Sequence, residues 1–301
     1  MTHLYGITSA MITPFNKNGN IDHNALAHLT TYLIDKGVNC LYPCGTTGEM
    51  LRLSLNERKQ AANTVIRAAS GRVPVFIHCG AATYEDTSEL LAHAESAGAD
   101  GAGIVTPQFF HAEETELINY YTSLAKSVPD FPIYIYNIPQ CSGNDLLPET
   151  AETIQQLCPN IIGIKYSYPD INRTIDYLAI NDHHFSVMHG CDRALSAILS
   201  LGCDGTVSGI AGVFPEPFVK VYKAFKQNDI RQMQYWQNIC IRFCDILKCG
   251  SNMSYFKEAL KLRGITDSYM RLPQLSIDSG ERDILKTRIY KLCDLANIPV
   301  K

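Results

Sequence analysis

The feature that most constrains this chain is an alternation of short apolar runs with longer amphipathic ones. Eight runs have strand character: 7–12, 40–43, 74–79, 101–105, 133–136, 161–165, 185–189 and 205–208. Each is short, partly β-branched or aromatic, and bounded by Gly, Pro, Asn or Asp. Helical patterns lie between them. Leu26, Leu29, Leu33 and Ile34 recur at helical spacing, and Gly37 follows as a terminating residue. Ser54-Leu55-Asn56-Glu57 is a capping-box pattern that opens a helix stopping near Gly71. Thr83-Tyr84-Glu85-Asp86 opens another, with Leu90, Leu91 and Ala94 inward, ending at Gly98. Leu117, Tyr121 and Leu124 mark a fourth, and Pro148 starts a fifth that carries Ile154 and Leu157.

A weak internal echo supports the alternation. Gly37-Val38-Asn39-Cys40, Gly98-Ala99-Asp100-Gly101 and Gly202-Cys203-Asp204-Gly205 each leave a helix and enter a strand. Gly supplies the left-handed cap and Asn or Asp the turn. Such a repeat predicts an α/β fold, specifically a (β/α)8 TIM barrel. The rival, a doubly wound open sheet, loses ground in its nucleotide-binding forms. No Gly-x-Gly-x-x-Gly follows the first strand, and no Gly-x-x-x-x-Gly-Lys-Ser/Thr occurs. After about Val213 the strands stop. Segments 214–225, 230–247, 252–262 and 277–296 all read as helices. We therefore expect a catalytic barrel over 1–225 and a C-terminal helical segment over 226–301.

Composition narrows the function. Apolar residues make up 46% of the 301 and charged residues 19%, which predicts a packed core. The net charge of −4 argues against a nucleic-acid partner. No stretch approaches the ~18 apolar residues of a membrane span, so no membrane partner is expected. The start, Met-Thr-His-Leu-Tyr-Gly, has no secretory pattern. The 11 Cys are therefore expected to be reduced thiols of a cytoplasmic protein. Zinc is not expected, because no Cys-x-x-Cys pair occurs and the closest spacings are Cys40/Cys44, Cys240/Cys244 and Cys244/Cys249.

In such a barrel the chemistry sits at the C-terminal ends of the strands. Lys165 ends the run Ile161-Ile162-Gly163-Ile164, which points its amine towards a poorly solvated mouth. Withdrawal from water favours neutral amines, the form that attacks a carbonyl to give a Schiff base. The plain alternative is a strand-end lysine reaching solvent. Tyr136 ends Ile133-Tyr134-Ile135-Tyr136, where its phenol could relay protons or simply pack. Gly45-Thr46-Thr47-Gly48 offers two hydroxyls and exposed amides, a donor set suited to a small carboxylate. Its plain alternative is a turn into a helix. Glu49 could orient that loop.

Taken together, these residues resemble the dihydrodipicolinate synthase / N-acetylneuraminate lyase family of pyruvate-dependent class I aldolases. The matching motifs are Thr13-Pro14-Phe15, Gly45-Thr46-Thr47-Gly48-Glu49, Val105-Thr106-Pro107, Tyr136-Asn137-Ile138-Pro139, Gly163-Ile164-Lys165 and Gly205-Thr206-Val207-Ser208-Gly209. They span essentially the whole chain. The resemblance implies a barrel assembled as a homotetramer, a dimer of dimers. It implies Lys165 as the Schiff-base lysine and Tyr136 as the proton relay. Thr46 and Thr47 would bind the carboxylate and assist proton transfer. It implies a 2-oxo acid with a pyruvate moiety as substrate, and no metal or other cofactor, because the imine is the electron sink.

Two positions depart from dihydrodipicolinate synthases. Cys141 stands where the family carries an Arg for the second substrate's carboxylate, and Phe109 stands where a tyrosine would reach a partner subunit. Cys lacks the bidentate donors of Arg, and Phe relays no proton. The segment 138–143 is nearer the neuraminate-lyase pattern, although Arg193 beside Asp192 replaces that enzyme's acidic residue. The expected reaction is therefore cleavage of a 2-oxo-3-deoxy sugar acid or N-acetylneuraminate-like substrate to pyruvate and an aldehyde. Arg193 and Asp192 would read its distal end, with Gly45, Ser208, Cys141, Ser167 and His111 as further candidate contacts. The alternative for the Asp192-Arg193 pair is a helix cap followed by a solvent-facing side chain. The alternatives for function are a dihydrodipicolinate-synthase-type condensation, a dehydratase using the same imine, and a ligand-binding barrel without turnover.

Overall fold

The structure is a computed structural model that describes residues 2–250 and 252–300. Eight parallel strands run in the order β2-β1-β8-β7-β6-β5-β4-β3: β1 Gly6–Ala10, β2 Cys40–Tyr42, β3 Phe76–His78, β4 Gly101–Val105, β5 Ile133–Asn137, β6 Ile161–Tyr166, β7 Ser186–His189 and β8 Gly205–Ser208. A parallel bridge between Leu41 and Val75 joins the two end strands, so the sheet closes as the TIM barrel that the alternation predicts. The helices of the outer layer are α1 His23–Asp35, α2 Leu55–Ala69, α3 Tyr84–Ser96, α4 Glu114–Ser127, α5 Pro139–Ser142, α6 Pro148–Leu157, α7 Ile171–Ala179, α8 Leu195–Leu201 and α9 Pro215–Lys226. Three more follow: α10 Ile230–Ile246, α11 Met253–Leu262 and α12 Ser279–Ala296.

The short runs at 101–105 and 205–208 match β4 and β8 to the residue, and the other strands begin or end within two residues of expectation. The helical patterns named from the sequence leave out α5, α7 and α8. Helices α5 and α8 have only four and seven residues, whereas α7 does carry a signal, the Asp170 side chain that caps it by accepting from the Arg173 amide. The capping-box pattern at Ser54 forms as read, with the Ser54 hydroxyl accepting from the Glu57 amide and the Glu57 carboxylate accepting from the Ser54 amide.

The repeated turn does more than turn. The Asn39 side chain accepts from the Ile7 amide, Asp100 from Val75 and Asp204 from Val187, at 2.8, 2.8 and 3.1 Å. In each repeat the polar residue that ends one αβ turn therefore ties down the backbone of a neighbouring strand, at the end of the barrel opposite the strands' C termini.

Strand parity sets which residues meet inside. On β5, Ile133 and Ile135 join the apolar layer between sheet and helices, and Tyr134 and Tyr136 face inward. On β6 the alternation breaks. Ile133 pairs with Ile161, but Tyr134 pairs with Gly163, so β6 holds one extra residue. This bulge shifts every later side chain to the opposite face. Ile164 and Tyr166 then join the helix-side layer, and Lys165 turns into the barrel. Gly103 on β4 leaves room for another inward ring. A Cβ there would stand 1.8 Å from the Tyr42 hydroxyl.

The three C-terminal helices share the same continuous core as the barrel shell. Phe214 stacks on Phe243 of α10 at 4.1 Å between ring centroids, and Phe256 of α11 and Leu292 of α12 belong to the same apolar cluster. Arg263, just after α11, is buried, pairs with Glu216 of α9, and donates to the Val213 carbonyl at 2.7 Å.

Candidate active site

A cavity of about 410 Å³ opens at the C-terminal ends of the strands. Lys165, Tyr136, Thr46, Thr47, Asp192, Cys141 and Ser167 line it, which brings together residues spread over 147 positions of sequence.

Lys165 is buried, with 4% of its surface exposed. Its Nζ lies 3.8 Å from the centroid of the Tyr136 ring and 4.9 Å from that of Tyr42. Its Nζ therefore packs against aromatic faces, and among the described residues no carboxylate oxygen comes within ion-pair distance of it. Tyr136 is the direct register partner of Lys165. Its hydroxyl lies 3.4 Å from the Thr46 hydroxyl. His78 stands edge-on to Tyr136 at 5.8 Å. Burial, Arg58 and Lys165 together push its pKa well down, so this imidazole is neutral.

The Thr46-Thr47 turn is braced from outside the cavity. Thr13 donates to the Gly48 carbonyl at 2.8 Å, and the Glu49 and Met50 amides donate to the carbonyls of Thr46 and Gly45. Gly45 shapes this turn and does not line the cavity. Ser208 is also absent from the lining. Its hydroxyl accepts from the Ala211 amide at 2.9 Å and so closes the turn after β8. Other motif residues prove structural too. Asn137 donates to Asp145, the Leu146 carbonyl and Tyr177, and Thr106 donates to Ser142.

Asp192 and Arg193 part company. Asp192 faces the cavity, and its Oδ1 is buried without a hydrogen-bond partner. Burial pushes its carboxyl up to about 7, against the pull of Ser208, the Ile210 amide and Lys165. Arg193 instead turns to α10 and pairs with Asp245, half exposed, outside the lining. Asp192 does not cap the following helix. His111 is exposed beside Glu113 and also lies away from the cavity. Sequence reasoning does not single out Tyr42 or Phe256, and it weighs Cys249 only in the Cys244/Cys249 spacing tested for zinc. Cys249 and Phe256 reach the cavity from the C-terminal segment.

A buried lysine against a tyrosine and a threonine hydroxyl, at a barrel mouth, is the setting of imine chemistry. The sequence profile of the dihydrodipicolinate synthetase family matches residues 3–292. The chain belongs to this family. Among its relatives is a 4-hydroxy-tetrahydrodipicolinate synthase of Syntrophus aciditrophicus, 34% identical over 93% of this chain and 96% of that protein. The crystal structure of YagE, a prophage protein of the dihydrodipicolinic acid synthase family from E. coli K12 in complex with pyruvate, superposes with a TM-score of 0.91. It is 31% identical and covers 97% of this chain and 99% of its own. Dihydrodipicolinate synthase from Aquifex aeolicus gives a TM-score of 0.91 at 28% identity, covering 99% and 100%. Dihydrodipicolinate synthetase family members are Schiff-base, class I aldolase-type carbon–carbon lyases, and this chain is an enzyme of that kind.

Proposed function

We propose that the chain joins pyruvate to an aldehyde, or releases it from the aldol adduct, through an imine on Lys165. The observation that carries this reading is the convergence of Lys165, Tyr136 and Thr46 on one wall of the cavity. Lys165 attacks the C2 carbonyl of the 2-oxo acid, and loss of water leaves a protonated imine. In condensation, C3 loses a proton to give the enamine, which attacks the aldehyde carbon, and Tyr136 delivers a proton to the new C4 oxygen. In cleavage, Tyr136 takes the C4 hydroxyl proton, the C3–C4 bond breaks, and its electron pair enters the enamine. After cleavage C3 takes up a proton, which turns the enamine back into the imine, and in either direction water then hydrolyses the imine and frees Lys165. Thr46 orients the Tyr136 phenol, and both threonines donate to the substrate carboxylate.

The synthase name of the relatives supports condensation better than the sugar-acid cleavage expected from the sequence. The cavity speaks to the acceptor. Its lining holds Gln140, Cys141, Ser167 and Asp192 and no arginine among the described residues. That donor and acceptor set supports an aldehyde with a neutral, hydroxylated tail over one bearing a carboxylate. The pyruvate-bound relative supports pyruvate as the other partner.

Assembly and setting belong to the same proposal. Phe109 and Phe110 are 88% and 78% exposed and stack edge to face, which supports burial against a second copy in a dimer of dimers. The 11 cysteines are free thiols, which supports a reducing, cytoplasmic setting.

The test is to incubate the protein with pyruvate, reduce with borohydride, and map the mass adduct. We expect it on Lys165, and an adduct elsewhere or none overturns the reading. A panel of neutral hydroxyaldehydes and carboxylate-bearing aldehydes, read by product mass, then separates the two acceptor classes. Loss of water from a 2-oxo-3-deoxy acid without C–C cleavage would favour the dehydratase.

A further inference from the structure

Glu49 follows the Thr46-Thr47 turn with φ 59° and ψ 39°, in the left-handed region. An L-residue with a long side chain is disfavoured there and persists where the surroundings hold it. The surroundings here are two cations. Glu49 Oε1 lies 2.5 Å from Lys257 Nζ, and Oε2 lies 2.7 Å from Arg52 Nη1. The Glu49 and Lys257 side chains are each 1% exposed. Lys257 also donates to the Tyr269 carbonyl at 2.8 Å and sits 4.0 Å from the centroid of the Phe15 ring.

A buried ion pair is a poor way to stabilise a fold, because desolvation offsets most of the attraction. An apolar pair would join α11 to the barrel equally well. What the ion pair supplies is a fixed direction for one carboxylate, and hence for the backbone that bears it. That backbone closes the turn, since the Glu49 amide donates to the Thr46 carbonyl at 3.0 Å. A second contact acts on the same turn. A Cβ built on Gly209 would come within 3.0 Å of Thr47 Oγ1 and 3.2 Å of a Phe256 ring carbon, so these two side chains converge on one space. Phe256 is the neighbour of Lys257 on α11 and lines the cavity.

We infer that Lys257 is a positioning residue of the active site, holding Glu49 and through it the Thr46-Thr47 turn in the shape that receives the 2-oxo acid's carboxylate. The inference rests on the imine reading above. It makes α11 a working part of the site, although Lys257 touches no reacting atom. Burial pushes the Lys257 ammonium down to about 8, and Glu49 opposes that shift, with Arg52 and Arg271 as the other nearby charges. Removing the Glu49 charge therefore leaves Lys257 buried without its counter-charge, and removing the Lys257 charge leaves Glu49 held by Arg52 alone, on its other oxygen.

The test measures the pyruvate concentration that half-saturates borohydride trapping, a readout independent of how much protein is folded. Lys257→Gln keeps a donor for the Tyr269 carbonyl and removes the charge, and Glu49→Gln removes the other charge. We expect each to raise the half-saturating concentration by about tenfold, with the trapping rate at saturating pyruvate within about threefold of wild type. The double variant should be no worse than the worse single one. A lowered melting temperature with unchanged half-saturation would show a fold contact only and overturn the inference while leaving the imine reading intact. Absence of trapping in the wild type would overturn both. Should the single variants fail to fold, Lys257→Arg carries the same test, because a planar guanidinium cannot occupy the point position of the ammonium.

Discussion

Tyr136 and Lys165 are register partners on adjacent parallel strands, and the lysine ammonium lies 3.8 Å from the centroid of the tyrosine ring. The pairing puts nucleophile and proton carrier on one wall, but only because the bulge on β6 turns Lys165 inward. The two residues should separate kinetically. Lys165→Met should abolish trapping and turnover while leaving the fold intact, since Met fills a similar buried volume. Tyr136→Phe keeps the ring against the ammonium and loses the hydroxyl. It should still trap pyruvate, while turnover falls by about 10²–10⁴-fold. Mass mapping and steady-state rates on the same preparations check both.

Arg193 is expected to be silent in specificity. Its guanidinium pairs with Asp245, and both side chains are 50% exposed. Arg193→Ala should leave the ranking of aldehyde acceptors unchanged. Stability should move by no more than about 1 kcal/mol, the scale of an exposed ion pair. A changed ranking on the acceptor panel would return Arg193 to the site.

The barrel was legible because period and punctuation agree: short β-branched runs, capping residues, and a Gly-x-Asn/Asp turn repeated three times. The direction of Lys165 was not legible. Strict alternation from Ile161 would send it to the helix side, and a bulge leaves no mark in an apolar run such as Ile161-Ile162-Gly163-Ile164. Motif residues could not be sorted into chemical and structural ones, since Thr13, Thr106 and Asn137 are as polar as Thr46. Only their partners, the carbonyls of Gly48, Asn144 and Leu146, show that they brace backbone. Lys257 did leave a signal. It shares a helix face with Met253 and Leu260, four residues before and three after, and a charge on a buried face needs a partner.

Asp192 makes stability depend on pH in a definite direction. Its folded pKa, about 7, lies above the unfolded value of 3.8. Between these values the folded protein keeps a proton that the unfolded chain releases. Rising pH therefore lowers stability through that window, by at most about 4 kcal/mol in all, with the loss complete above about pH 7. Asp192→Asn stays neutral and removes this contribution. Urea unfolding should show the variant gaining on wild type between pH 5 and pH 8. A constant difference across that range would contradict the burial argument.

Phe109 sits at φ 75°, held by the hydrogen bond its backbone N–H donates to the Ser142 carbonyl, with its ring in solvent. If a second copy covers it, a charge there opposes association. Phe109→Asp should lower the mass measured by light scattering and leave the monomer's circular dichroism unchanged. An unchanged mass would place the interface elsewhere.

Gly103 tests how tightly the aromatic wall is set. A Cβ at this position would meet the Tyr42 hydroxyl at 1.8 Å and its ring carbons at 2.6 and 2.8 Å. Tyr42 is fully buried, so its ring has no free volume in which to retreat. It must tilt or shift β2, and either motion moves the face that lies 4.9 Å from the Lys165 ammonium. Gly103→Ala should therefore cost about 1–3 kcal/mol of stability by overpacking. It should also slow imine formation on Lys165 in the folded fraction. Urea unfolding and the rate of pyruvate trapping per folded molecule read the two effects separately. A stability loss without a change in that rate would mean that Tyr42 packs the barrel and does not set the lysine.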